Sequence, residues 1–189
     1  ENGEEAYDHA PGFSDVVVEL LHLEFSMPEV YALGKADPEY RDAMLIMAYL
    51  AQAEAYRSVR TSLLLSSAEK APRLLLITSS HPGEGKTVTA VNIAAALVQT
   101  GRKVLLIDGD LRKPRLHKVL GLENTVGLTS CLTGNAELSD AITRTRVAGM
   151  DLLPSGAIPP NPSELLDSNA FDRLLARVLD EGAYDHVIL

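Results

Sequence analysis

Tryptophan is absent, cysteine occurs once, and aromatic residues make up only 5% of the 189-residue chain. A lone Cys131 excludes an internal disulfide and fits a reducing compartment, so a core must be held by aliphatic packing. No apolar run reaches the roughly 20 residues that a bilayer-spanning helix requires. The longest candidate outside the strands, AMLIMAYLA at 43–51, suits the buried side of a helix. There is no signal-peptide pattern and no internal repeat, and neither Cys131 nor the histidines show metal-ligand spacing. What remains is a chain with 46% hydrophobic and 23% charged residues, enough to bury one sizeable core.

The net charge of −9 is unevenly placed. Residues 1–42 hold eleven acids against Lys35 and Arg41, whereas residues 43–189 hold fifteen acids and fifteen bases. We therefore divide the chain into an acidic N-terminal arm, 1–42, and a body, 43–189. The arm carries Pro11, Gly12, Pro28, Gly34 and Pro38 around one short apolar segment, VVVELLHLEF at 16–25, and reads as a tether. An electrically balanced body argues against a general nucleic-acid surface.

Residues 74–87, LLLITSSHPGEGKT, combine an apolar strand, a Gly/Pro-rich turn and a Gly-Lys-Thr that opens an apolar helix ending near Gly101. Such a turn is a phosphate-binding loop. Gly83 and Gly85 let backbone N–H groups converge on anionic oxygens, Lys86 adds a point charge, and Thr87 offers a hydroxyl to Mg²⁺. Ser80 stands where the usual pattern starts with Gly, so the loop is a variant. A second apolar run, VLLIDGD at 104–110, follows one helix later and ends in Asp108 and Asp110. A right-handed parallel crossover returns both acids to the carboxyl edge of the sheet beside the loop. There one can hold Mg²⁺ while the other orients a nucleophile or accepts its proton.

Helical spacing runs from about Pro38 to Ser67 and contains Glu54-x-x-Arg57-x-x-Arg60. Three-residue spacing puts the acid and two guanidinium groups on one face, either as a solvated surface with local ion pairs or as a subunit contact. Arg112, Lys113, Arg115 and Lys118 follow the paired acids, with Pro114 suited to the first turn of a helix that buries Leu116, Val119 and Leu120. This strip either steers nucleotide or an acidic tyrosine-bearing tail, or is simply solvated. Ser163, after Pro162, is expected to cap a helix. The fold expected is α/β, a mainly parallel sheet covered by helices on both faces, with strands near 74–79, 104–109, 150–154 and 185–189.

Four segments in this order, EAYRSVRTSLLLSS (54–67), SSHPGEGKT (79–87), VLLIDGDLRKP (104–114) and LLPSGAIPPNPSELLDS (152–168), resemble the cytoplasmic domain of bacterial tyrosine autokinases of capsule and exopolysaccharide export. The likeness covers residues 50–189, and the E-x-x-R-x-x-R helix and PPNPSELL are its discriminating parts. It implies a P-loop fold with Pro82, Gly83, Glu84, Gly85, Lys86, Thr87 and Val88 binding ATP. It further implies Mg²⁺ on Thr87 and Asp110, and Asp108 assisting an incoming tyrosine hydroxyl, with Lys86, Asp108 and Asp110 as the catalytic set. The resemblance makes Glu54, Arg57 and Arg60 contacts in a homo-oligomeric ring. It also implies a transmembrane activator or co-polymerase, fused or separate, and a place at the inner face of the plasma membrane. YDHVIL (184–189) resembles the Walker B strand, and the family's Walker B Asp and tyrosine-rich tail are expected beyond it. Two other readings stay open: a partition-type ATPase, against which His81 counts because those proteins carry a signature Lys there, and a non-enzymatic nucleotide-binding scaffold that regulates a membrane polysaccharide co-polymerase.

Overall fold

The computed structural model describes residues 38–66, 71–81 and 83–189, with side chains from residue 52 onward. The apolar segment 16–25, most of the acidic arm and Pro82 therefore lie outside the described residues. Among those described, no helix is long and apolar enough to cross a membrane.

The elements follow as α1 (Pro38–Leu65), β1 (Leu74–Leu75), α2 (Lys86–Val98), β2 (Val104–Ile107), α3 (Leu116–Val119), α4 (Leu128–Leu132) and α5 (Leu138–Ala141). Then come β3 (Thr143–Arg144), β4 (Met150–Leu153), α6 (Pro162–Leu166), α7 (Asn169–Asp180) and β5 (His186–Ile188). Because α1 begins at Pro38, the division drawn at 42/43 falls inside a helix. The sheet order is β1-β5-β2-β4-β3, parallel throughout except for β3, which runs antiparallel to β4. The strands expected near 74, 104, 150 and 185 are present but shorter. Backbone pairing beyond β1 persists, since the Ile77 N–H donates to the Leu189 carbonyl at 2.8 Å. β3 was not expected: two exposed residues, Thr-Arg, give no apolar alternation to read.

β2 is buried at all four positions, which is why its sequence is a continuous apolar run and not an alternation. Val104 and Leu106 face α2 and α3, joined by Met150, Leu152 and Ile188. Leu105 and Ile107 face the other side, with Leu128, Phe171, Leu174 and Val178. Each fully buried leucine of this kind stabilises the fold by about 2–5 kcal/mol against truncation to alanine. The amphipathic α7 follows the same logic. Ser168 caps it, accepting the Phe171 N–H at 3.4 Å, and Phe171, Leu174 and Val178 point inward.

α2 is apolar nearly all round, with seven buried residues, because it is wedged between the sheet and α1. Tyr56, Leu63 and Leu64 of α1 pack against that cluster. The last turn of α2 shows how the two helices are joined. The Gln99, Thr100 and Gly101 N–H groups take the carbonyls of Ala95, Leu97 and Val98, with Gly101 at φ 78 closing the turn. These turns pass over the Ala96 carbonyl, and Arg60 supplies its donor: Nη1 lies 3.1 Å from that oxygen in a partly buried setting. Arg60 therefore does not share the solvent face of its motif. Arg57 and Glu54 do, as an exposed pair at 2.9 Å. Arg60→Ala is expected to cost about 1–2 kcal/mol, a Tm fall of roughly 3–6 °C by thermal denaturation. An unchanged Tm would mean that water caps Ala96 equally well.

Candidate active site

The phosphate loop leaves β1 and turns on two glycines in the left-handed region, Gly83 at φ 87 and Gly85 at φ 85. Around Gly83 an added Cβ would meet nothing within 4 Å, so the glycine is there for its backbone angle and not for space. Gly85 also caps α2, leaving the first-turn N–H groups of that helix directed into the loop. Glu84 explains how a variant loop starting with Ser80 is held. Its Oε2 accepts the N–H groups of Ser80 at 3.0 Å and His81 at 3.2 Å, and its Oε1 lies 3.4 Å from His81 Nδ1. The His81 N–H bond above all holds the Glu84 carboxyl below its ordinary range. Lys86 Nζ donates to Ser79 Oγ at 2.9 Å, and Ser79 Oγ in turn donates to the His81 carbonyl at 3.0 Å. Val88 is a core residue, 4% exposed, so only its backbone is available to a phosphate.

β2 delivers the two acids to the same edge, and they differ sharply. Asp108 is 4% exposed. Its Oδ1 accepts the Asp110 N–H at 3.2 Å, and its Oδ2 accepts those of Arg115 at 3.2 Å and Leu116 at 3.0 Å. Those last two donors open α3, so Asp108 anchors that short helix as well as standing at the strand end. Burial is the largest influence on its carboxyl and pushes the pKa above the ordinary carboxylate value, against the three N–H bonds. Asp110 is exposed and folds back on its own loop, accepting the N–H groups of Arg112 at 3.2 Å and Lys113 at 2.9 Å. Pro114 precedes the α3 N-cap, Arg115, so it sits outside the helix and not in its first turn, while Leu116, Val119 and Leu120 are buried as expected.

The segment after β4 completes this edge through contacts that no motif announces. Asn124 donates to Ser155 Oγ at 3.0 Å and to the Gly156 carbonyl at 3.1 Å, and its Oδ1 accepts the Gly156 N–H at 2.8 Å. Thr129 Oγ1 donates to the Ser155 carbonyl at 2.8 Å. Gly127 lies so close to the Pro154 carbonyl and the Gly156 nitrogen that any Cβ would collide with both. Its backbone is extended, so here the demand is for space. Asn161, not Ser163, holds the N-cap position of α6, without a side-chain capping bond, with Pro162 at the first helical position and Ser163 one residue further inside. Ser163 instead accepts from Arg112 Nη2 at 3.1 Å, which ties the PPNPSELL segment to the loop carrying Asp110. Leu189 follows β5 and lies beside Gly109 at the same edge.

The structure thus gathers Lys86, Thr87, Asp108 and Asp110 at one sheet edge, while Glu54 and Arg57 stay outside it on α1. Among the described residues no three His, Cys, Asp or Glu side chains converge as a metal cluster. A divalent ion here would lean on Thr87, Asp110, phosphate oxygens and water, the hard-oxygen set that Mg²⁺ takes.

Comparison with known proteins agrees with this geometry. The family model described as AAA domain matches residues 73–189. A tyrosine-protein kinase of Bacillus subtilis, YwqD, is 46% identical over 135 residues, covering 71% of this chain and 56% of that protein. The chain therefore spans little more than half the length of that relative. The kinase domain of the Escherichia coli tyrosine kinase ETK superposes with a TM-score of 0.67 at 39% identity, over 72% of this chain and 52% of that one. The septum site-determining protein MinD of Pyrococcus horikoshii, solved with Mg-ADP, gives 0.53 at 34% identity, over 61% and 47%. This chain belongs to the AAA-domain family of P-loop proteins, in the group of bacterial tyrosine-protein kinases.

Proposed function

We propose that the chain is the nucleotide-binding core of an ATP-dependent protein-tyrosine autokinase, working in capsular or extracellular polysaccharide synthesis and export. The observation that carries this reading is that the phosphate loop and the strand leading to Asp108 and Asp110 open on the same edge of a parallel sheet, where Arg112 is tied to Ser163 of the segment that resembles this family most specifically. The relatives' names support the reaction class, and the MinD neighbour solved with Mg-ADP supports the nucleotide and its metal.

Lys86 and the N–H groups around Gly83 to Val88 would hold the β- and γ-phosphates of ATP, with Lys86 released from Ser79 to do so. Thr87 and Asp110 would hold Mg²⁺, which when bound neutralises phosphate charge. The tyrosine oxygen then forms a bond to the γ-phosphorus as the bond to the bridging oxygen of ADP breaks, and Asp108 takes the phenolic proton. A loose transition state gives up that proton late, so position matters more than basicity. Assembly into a ring would use α1, through the exposed Glu54 and Arg57, and Arg60 only by surrendering its bond to Ala96. A transmembrane activator, fused or separate, would place this domain at the inner face of the plasma membrane.

Incubation of the protein with ATP and Mg²⁺, followed by phosphotyrosine detection and ADP measurement, tests the proposal. We expect both products together. ADP without phosphotyrosine would favour a partition-type ATPase, and binding without either would favour a scaffold.

A further inference from the structure

Between Asp110 and Glu123 the chain carries Arg112, Lys113, Arg115 and Lys118 and no acid. Arg112 is engaged by Ser163. Lys113, Arg115 and Lys118 are exposed, and the ion pairs among the described residues involve none of them. Arg57, Arg102 and Arg177 elsewhere are each paired with an acid. The backbone beneath the strip is fixed at the reactive edge, because Asp110 holds the N–H of Lys113 and Asp108 holds that of Arg115. Three unpaired cations beside the acid that meets the substrate hydroxyl fit a tyrosine flanked by carboxylates.

The chain contains such a segment, Glu4-Glu5-Ala6-Tyr7-Asp8, and no Lys or Arg precedes Lys35. Residues 4–8 lie outside the described residues and enter by sequence alone. The other tyrosines fit less well. Tyr40, Tyr49 and Tyr56 are within α1, and Tyr31 has one acid nearby, Glu29. Tyr184 donates its hydroxyl to Asp151 at 2.9 Å before the amino end of β5, and burial raises its phenol pKa. We propose that Lys113, Arg115 and Lys118 dock the acidic segment 4–8 of a second copy of this chain, making Tyr7 a phosphorylation site. The inference rests on the kinase reading. The Tyr7 oxygen would bond to the γ-phosphorus of ATP, ADP would leave, and the proton would pass to Asp108.

Two measurements test it separately from that reading. A labelled peptide of residues 1–12, ENGEEAYDHAPG, is expected to bind the protein in fluorescence anisotropy, with affinity that falls as salt rises. Lys113→Glu/Lys118→Glu should weaken it about tenfold or more, as should the peptide substitutions E4Q/E5Q/D8N, while ADP affinity reports an intact fold. Equal binding by variant and wild type, or no binding, overturns the docking surface. Mass spectrometry after incubation with ATP and Mg²⁺ should find phosphate on Tyr7, lost in the charge-reversed variant. Phosphotyrosine at other sites but never at Tyr7 overturns this inference and leaves the kinase reading standing, whereas no phosphotyrosine anywhere removes both.

Discussion

Lys86→Met is expected to raise the Kd for ADP–Mg²⁺ at least about 100-fold, or to abolish binding, and to remove phosphoryl transfer with it. Lys86 is the one Lys or Arg in the loop sequence SSHPGEGKT, and the neighbouring His81 is turned to Glu84. Backbone donors alone would remain, and Ser79 would lose its 2.9 Å partner, a small local change on an otherwise intact fold. Calorimetry decides it. An ADP affinity equal to wild type would show that this loop is not the phosphate site.

Asp108→Asn is expected to separate the anchoring of α3, which its carboxylate performs, from the proton acceptance proposed for it. Transfer should fall roughly 10²–10⁴-fold for loss of a proton acceptor, with nucleotide affinity largely kept. Stability should also fall, by about 1–3 kcal/mol, because the amide NH₂ must face N–H donors that the second oxygen accepted from Arg115 and Leu116 or from Asp110. Asp110→Asn instead should weaken Mg²⁺-dependent affinity and leave the fold alone, its carboxylate being exposed. The pH signature follows from the direction of the Asp108 shift. A carboxyl whose pKa is raised on folding binds more protons folded than unfolded, so its contribution is fullest below the ordinary carboxylate value. It is lost as pH rises through the raised one. Denaturant titrations across that interval should show a slope in wild type that is absent in the Asn variant, and transfer activity should rise over the same interval as the base ionises. Matching pH slopes in both proteins would remove Asp108 as the source.

How much of this was legible in the residue order depends on the range of the contacts. β2 and β4 were readable as apolar runs, and the phosphate loop as a Gly-rich turn between strand and helix, because each is written within about ten consecutive residues. The return of Asp108 to the loop's edge followed from crossover handedness alone. What could not be read rests on pairs far apart in the chain. Asn124 fastens Ser155 and Gly156, and Gly127 leaves room for the Pro154 carbonyl, yet ENTVG looks like any turn. Arg60 fits the exposed three-residue pattern until Ala96, 36 residues on, presents a spare carbonyl. The α6 cap went to Asn161 instead of Ser163 because a Pro at the first helical position is the more strongly placed of the two signals.

That spare carbonyl also makes α2 a lever. A 13-residue helix is about 20 Å long, so a tilt of roughly 3° at its Arg60 end moves the Gly85 end by about 1 Å, the scale on which phosphate contacts are made or lost. Free energies exchanged along such a rod are reciprocal: whatever bound nucleotide does to the seating of α1, the seating of α1 does in equal measure to nucleotide affinity.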